Sequence, residues 1–264
     1  MGFLFMLAPM EDFTDAAYRT LAYMCGCDIT FTEMVSLEGL MKGVSNTFQK
    51  IIIPDDTPTF IQIVGNKESS LELFLKNFKP VNGFKGFNLN LGCPNPDIIR
   101  KGMGAAMIKR VTKVNNMVTI IKKYGYPVSI KMRLGLSSFE KENKVYLKLI
   151  QSVDADFFIV HARHGKETYD DKADFSVFGE CVATGKIIIA NGDIKTPEQV
   201  EYLKSIGVKG VMIGRAATCD PRIFSRLKGG PIPKLDAKQV YLRLCERFSS
   251  PARYRNNVFK RLIV

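Results

Sequence analysis

The 264-residue chain has no tryptophan and only two histidines, His161 and His164. Its six cysteines (Cys25, Cys27, Cys93, Cys181, Cys219 and Cys245) include no C-x-x-C pair. That spacing excludes zinc-ribbon and iron–sulfur ligand sets and fits a reducing, cytoplasmic setting. His161-x-x-His164 lacks a third ligand at suitable spacing, so no metal is expected. Cys25-x-Cys27 reads as a buried helix end. No apolar run approaches the roughly 18 residues that a membrane span needs. The apolar stretch at 3–9 is too short for a secretory signal, has no basic residue before it, and runs at once into Glu11 and Asp12. A Gly-x-Gly-x-x-Gly turn after the first apolar run is also missing. Ala8-Pro9-Met10-Glu11-Asp12 stands in its place, which argues against an open dinucleotide-binding sheet.

What is present describes a globular enzyme-sized chain. It is 46% hydrophobic and 24% charged, with 18 Phe, which excludes disorder. The length suits one α/β barrel with a sizeable core. The net charge of +12 is concentrated at one end. Residues 211–264 hold 12 Lys or Arg against Asp220, Asp236 and Glu246, leaving a net +3 for the first 210 residues. Such a segment is either a solvated helical face or a footprint for a polyanion.

Eight strand-length apolar runs occur, at 3–7, 29–32, 59–64, 87–91, 128–132, 157–160, 187–190 and 210–213. Most are near-continuous Ile, Val, Phe and Leu, as strands buried on both faces require. Helical spacing lies between them at 14–24 (with a Thr14 cap), 69–78, 111–124, 139–153 and 197–205, the last opened by Thr196-Pro197. Eight alternating units predict a closed (β/α)8 TIM barrel over 1–228. Gly229-Gly230-Pro231-Ile232-Pro233 reads as a linker, and 234–264 as one or two basic helices.

A barrel places its chemistry where the strands end. Those ends carry Ala8-Pro9-Met10, Thr32-Glu33-Met34, Gln62, Asn90 with Gly92-Cys93-Pro94, Lys131-Met132-Arg133, His161-Ala162-Arg163, Asn191-Gly192-Asp193 and Gly214-Arg215. Packing alone does not call for polar groups at nearly every end. Gly192 and Gly214 with Arg215, at adjacent ends, favour a phosphorylated cofactor or substrate. Lys131 within an apolar strand admits three readings: a Schiff-base amine, a cation for an anionic ring or phosphate, or half of an ion pair. Cys93 is either a small buried hydrophobe or a thiol facing the pocket as nucleophile or proton donor. His161 suits a hydrogen bond to an anion.

The ordered set of motifs resembles the tRNA-dihydrouridine synthases. It comprises Ala8-Pro9-Met10-Glu11-Asp12-Phe13-Thr14-Asp15 with Arg19, Thr32-Glu33-Met34-Val35-Ser36, Gln62-Ile63-Val64-Gly65 and Asn88-Leu89-Asn90-Leu91-Gly92-Cys93-Pro94 with Gly102-Met103-Gly104-Ala105-Ala106. Lys131-Met132-Arg133-Leu134-Gly135, His161-Ala162-Arg163, Asn191-Gly192-Asp193-Ile194 and Gly214-Arg215 complete it. The resemblance implies an FMN-dependent barrel that reduces the uracil 5,6 double bond in tRNA, with NADPH or NADH as reductant. It implies flavin contacts from Ala8, Pro9, Met10, Gln62, Lys131, His161, Asn191, Gly192, Asp193, Gly214 and Arg215. Cys93 would be the general acid, and Asn90, Arg133 and Arg163 would hold the flipped uracil. Asn95-Pro96-Asp97 follows Gly-Cys-Pro where the family usually has a basic residue. The segment 234–264 would be a reduced or truncated tRNA-contacting unit. A dihydroorotate-dehydrogenase-like enzyme acting on a free pyrimidine is the alternative, sharing Asn90-x-x-Cys93-Pro94-Asn95. A non-catalytic RNA-binding barrel is the second alternative.

Overall fold

A computed structural model describes residues 2–263, leaving Met1 and Val264 of the expected segments outside it. Its strands are β1 (Leu4–Leu7), β2 (Thr30–Phe31), β3 (Val35–Ser36), β4 (Thr59–Val64), β5 (Phe84–Leu91), β6 (Val128–Met132), β7 (Phe157–His161), β8 (Ile188–Asn191) and β9 (Gly210–Ile213). They run in the order β1-β9-β8-β7-β6-β5-β4-β2, with every ladder parallel. One parallel bridge, Met6 to Ile29, closes the ring, beside a 3.0 Å bond from the Leu7 N–H to the Ile29 carbonyl. The expected eight-position barrel is therefore the fold.

The ninth strand has a local cause. Both β2 and β3 pair with β4, Thr30 opposite Thr59 and Val35 opposite Ile63, so they are one barrel position interrupted at Thr32-Glu33-Met34. At the break the Thr32 hydroxyl donates to the Glu33 carbonyl and accepts from the Gln62 N–H, substituting for ladder bonds. Strand faces that look inward carry Met6, Phe31, Phe60, Phe157, Ile159, Ile189 and Met212, which fill the barrel as one cluster. A second, larger cluster lies between the strands and the surrounding helices. This two-sided burial is why the runs are continuous rather than alternating.

Two helical expectations are corrected. The helix expected over 14–24 is Ala16–Met24, and its cap is Asp15, whose carboxylate accepts from the Tyr18 N–H at 2.9 Å. Thr14 instead turns its hydroxyl to the Met10 backbone. The helix expected over 139–153 is two, Ser138–Glu142 and Val145–Ser152, parted at Lys144, which adopts φ +51°. Thr196 does cap Pro197–Ser205, in a capping box with Gln199.

After the Gly-Pro linker come two helices, Ala237–Arg247 and Ala252–Arg261. The first, capped by Asp236, lays buried Tyr241 edge-on against Tyr18 of the Ala16–Met24 helix, ring centres 5.9 Å apart. Tyr241, Leu244, Cys245, Val258 and Leu262 join the same cluster as the barrel's outer layer. No helix among the described residues is long and apolar enough to cross a membrane. Because the core is shared, Tyr241→Ala is expected to destabilise the whole chain by about 3–5 kcal/mol, in a single transition. Urea unfolding followed by circular dichroism checks this. A separate early transition for the C-terminal helices would contradict it.

Candidate active site

The C-terminal ends of the strands surround two small adjoining cavities of about 200 and 100 Å³, which share Pro9, Lys131, His161 and Tyr169. Every strand-end residue singled out from the sequence as a flavin or uracil contact lines one or both. Gln62, Asn90, Cys93 and Arg133 line the first, and Ala8, Met10, Arg163, Asn191, Gly192, Asp193, Gly214 and Arg215 the second. An outer cavity of about 640 Å³ shares Pro9, Met10, Tyr169 and Arg215 with them and reaches Lys260 and Arg261 of the C-terminal helix. An apolar groove of about 520 Å³ lies elsewhere, between Phe48, Ile52, Phe74 and Phe78, and contains none of these residues.

Cys93 is held by Asn90. The Asn90 side-chain oxygen, Oδ1, accepts from the N–H groups of both Gly92 (3.0 Å) and Cys93 (2.9 Å), forming a turn at the end of β5. The Asn90 amide donates to Gln62 Oε1 at 2.9 Å, Gln62 donates to Asn88 Oδ1 at 2.7 Å, and Asn88 donates to Ser129 Oγ at 2.8 Å. This chain of amides crosses β4, β5 and β6 and fixes the floor on which the thiol stands. Gly104 braces the turn from behind. At φ +57° it approaches so closely that a Cβ would lie 2.7 Å from the Cys93 carbonyl oxygen.

Lys131 projects from β6 into both cavities, and among the described residues it forms no ion pair or hydrogen bond. Burial, with Arg133 adding to it, pushes its amine down to about 8. The ion-pair reading of Lys131 is thus set aside. Burial also holds the His161 imidazole down at about 2, with Lys131, Arg133 and Arg163 reinforcing it, so His161 is neutral. Its Nε2 lies 3.1 Å from the Arg163 guanidinium, which can only donate. Nε2 must accept, which assigns the remaining proton to Nδ1.

Arg163 is fully buried and does not face the first cavity, where Cys93 stands. It donates to the Asp171 carbonyl, to Asp193 and to His161, and so braces the wall of the second cavity. Asp193 also accepts from Arg215 at 2.7 Å and from the Ala173 N–H at 3.1 Å; against the opposing effect of burial, that N–H, then Arg163 and Arg215, hold its carboxyl below the usual range. Arg133 donates to the carbonyls of His164 (2.7 Å) and Glu167 (3.1 Å), pinning the loop after β7. Gly214 leaves the following short helix, Arg215–Cys219, without a side-chain cap.

Tyr169 was not signalled by the strand pattern. It lies in the polar loop after β7, lines all three cavities, and is 58% exposed. Its ring stacks on His161 at 6.4 Å and lies 4.1 Å from the Arg215 guanidinium. A lone aromatic within Lys166-Glu167-Thr168-Tyr169-Asp170-Asp171 was the available clue. Met34 and Glu11 complete the lining of the Cys93 cavity.

These residues fit a phosphorylated flavin. The unpartnered Lys131 amine calls for an electron-rich or anionic neighbour, and the close approach at Gly192 (φ +121°) leaves 2.9 Å between a Cβ there and Ala173. Comparison with known proteins agrees with the family that the motifs resemble. A family model described as dihydrouridine synthase matches residues 6–251. A probable tRNA-dihydrouridine synthase of Aquifex aeolicus is 29% identical over 84% of this chain and 72% of its own length. The tRNA-dihydrouridine synthase B of Pseudomonas putida is 29% identical over 88% of this chain and 72% of its own. Among solved structures, the DHODH of Eimeria tenella superposes with a TM-score of 0.57 at 12% identity, over 85% of this chain and 79% of that one. The N-acetylmannosamine-6-phosphate 2-epimerase of Clostridium perfringens gives 0.52 at 14%, over 86% and 92%. At those identities the likeness is one of fold, that of the barrel. The match over nearly the whole chain means that this protein belongs to the dihydrouridine synthase family.

Proposed function

We propose that this protein reduces uridine in tRNA to 5,6-dihydrouridine, using FMN with NADPH or NADH as reductant. The observation that carries the reading is Cys93, fixed by Asn90 in the lining of a cavity that also holds the unpaired cation of Lys131. FMN, when bound and reduced, supplies the hydride for C6 of the uracil. Ala8, Pro9, Met10, Gln62 and Lys131 would hold it around the ring, with His161, Asn191, Gly192, Asp193, Gly214 and Arg215 toward the phosphate.

Hydride arrival at C6 leaves negative charge on C5 and O4, and Cys93 gives its proton to C5. Asn90 keeps the thiol in place through the two backbone N–H groups it accepts. Arg163 acts through Asp193 and His161, orienting Arg215 rather than touching the base. Arg133 holds the wall after β7 and offers its remaining donors to the uracil. A base stacked in a folded tRNA must leave its stack to reach this depth. The +9 of residues 211–264, reaching the outer cavity at Lys260 and Arg261, supplies phosphate contacts.

Nucleoside mass spectrometry of unmodified tRNA incubated with the protein, FMN and NADPH tests the reading. A uridine heavier by two hydrogens supports it. A yellow protein that oxidises NADPH and leaves tRNA unchanged, yet reduces a free pyrimidine, would establish the dihydroorotate-dehydrogenase-like alternative. A protein that binds tRNA but no flavin would establish the RNA-binding one.

Four further outcomes are expected. Cys93→Ala should keep its flavin and its oxidation of NADPH while losing about 10²–10⁴ in tRNA turnover, read by single-turnover assay. Lys131→Met should raise the midpoint of unfolding of the flavin-free protein, because a buried unpaired charge is removed, and should weaken flavin binding. In the parent protein, flavin affinity should fall as pH rises through about 8, where the amine loses its proton. Replacing Arg255, Lys260 and Arg261 with Gln should weaken tRNA binding and lower the slope of log affinity against log salt by up to about 0.7–0.9 per lost contact. An unchanged slope would identify those charges as a solvated face.

A further inference from the structure

Glu33 belongs to a motif that the proposed chemistry leaves unused, and it is completely buried at the break between β2 and β3. Three separate segments meet on its carboxylate. The Asp12 N–H donates to Oε1 at 2.6 Å, the Tyr254 hydroxyl of the C-terminal helix donates to Oε2, and Lys50 lies 3.9 Å away. Asp12 itself adopts φ +54°, a left-handed conformation that a non-glycine residue holds only under constraint. Every polar part of Asp12 is tied down. Glu33 takes its N–H, the Asn257 amide donates to its carbonyl at 3.1 Å, and Arg253 pairs with its carboxylate at 3.2 Å. Asn257, Arg253 and Tyr254 all come from the Ala252–Arg261 helix.

Asp12 lies two residues after Met10, which lines the inner cavity, and the same helix carries Lys260 and Arg261 to the wall of the outer one. We propose that Glu33 is a positioning residue. By binding Tyr254 and the Asp12 amide together, it latches the C-terminal helix to the loop after β1 and so sets the cationic wall beside the catalytic cavity. Glu11, Asp12 and Glu33 lie near enough to one another to chelate a cation. Lys50 already pairs with Glu11 and Arg253 with Asp12, and both oxygens of Glu33 are taken by hydrogen bonds.

The test compares Tyr254→Phe, Glu33→Gln and the double variant with the parent protein. Amide hydrogen exchange over residues 252–262 and 10–13 should accelerate by about tenfold or more in each single variant, and the double variant should add little to the larger single effect. Unchanged exchange in the helix, or effects that simply add, would overturn the latch. Tyr254→Phe reads the contact from the other side should Glu33→Gln not fold. The kinetic arm alone rests on tRNA being the substrate: KM for tRNA should rise several-fold while kcat and the flavin spectrum hold. A fall in kcat at unchanged KM would also count against positioning of the wall. If neither parent nor variants form dihydrouridine, the proposed function fails, whereas the exchange rates still decide the latch.

Discussion

Burying an amine beside the Arg133 guanidinium costs free energy, and the barrel meets that cost at Lys131 without an acid to balance it. The surrounding residues follow from that one charge. Asp193, the nearby carboxylate of the cavity wall, is taken by Arg163 and Arg215. His161 is kept neutral, so it adds no further positive charge and offers Nδ1–H as a donor. Asn90, Gln62 and Asn88 bring dipoles but no charge, and are linked to one another and to Ser129 in one chain of hydrogen bonds.

The second cavity is organised differently. Arg215 carries charge to the surface, but its geometry is set by Asp193 below and by the Tyr169 ring lying against it. Arg163, which the sequence offers as a second hand for substrate, stands behind this layer and completes it. The distinction is one of depth. A guanidinium at a strand end is legible as polar, but whether it faces the ligand or braces another side chain depends on which neighbour reaches it first.

The strands were legible because parallel barrel strands bury both faces, and a short continuous run of Ile, Val, Phe and Leu between turn residues suits little else. The same rule placed the named strand-end residues on one rim. What escaped were features decided by neighbours distant in sequence. The split of β2 from β3 depends on the Thr32 hydroxyl meeting the Gln62 N–H. The helix break at Lys144 leaves the apolar spacing of 139–153 intact on both sides, so periodicity could not reveal it. Asp15 displaced Thr14 as the cap because the Thr14 hydroxyl was already engaged at Met10. Tyr169 sits in a loop with no period at all.

The basic C-terminal segment shows how charge and packing divide one sequence between them. Composition marked it as cationic, which says where a polyanion is attracted but not how that surface is held. Its apolar side, from Ala237 through Tyr241 and Leu244 to Val258, is continuous with the core around the first helix. Its polar side closes on Asp12 and Glu33. A helix carrying several like charges repels itself and would drift if tethered only by the Gly-Pro linker. Anchoring it by a buried core on one side and by hydrogen bonds to a strained turn on the other places those charges at a defined distance from the thiol. That geometry, more than the number of positive charges, is what a substrate strand entering toward Cys93 would meet.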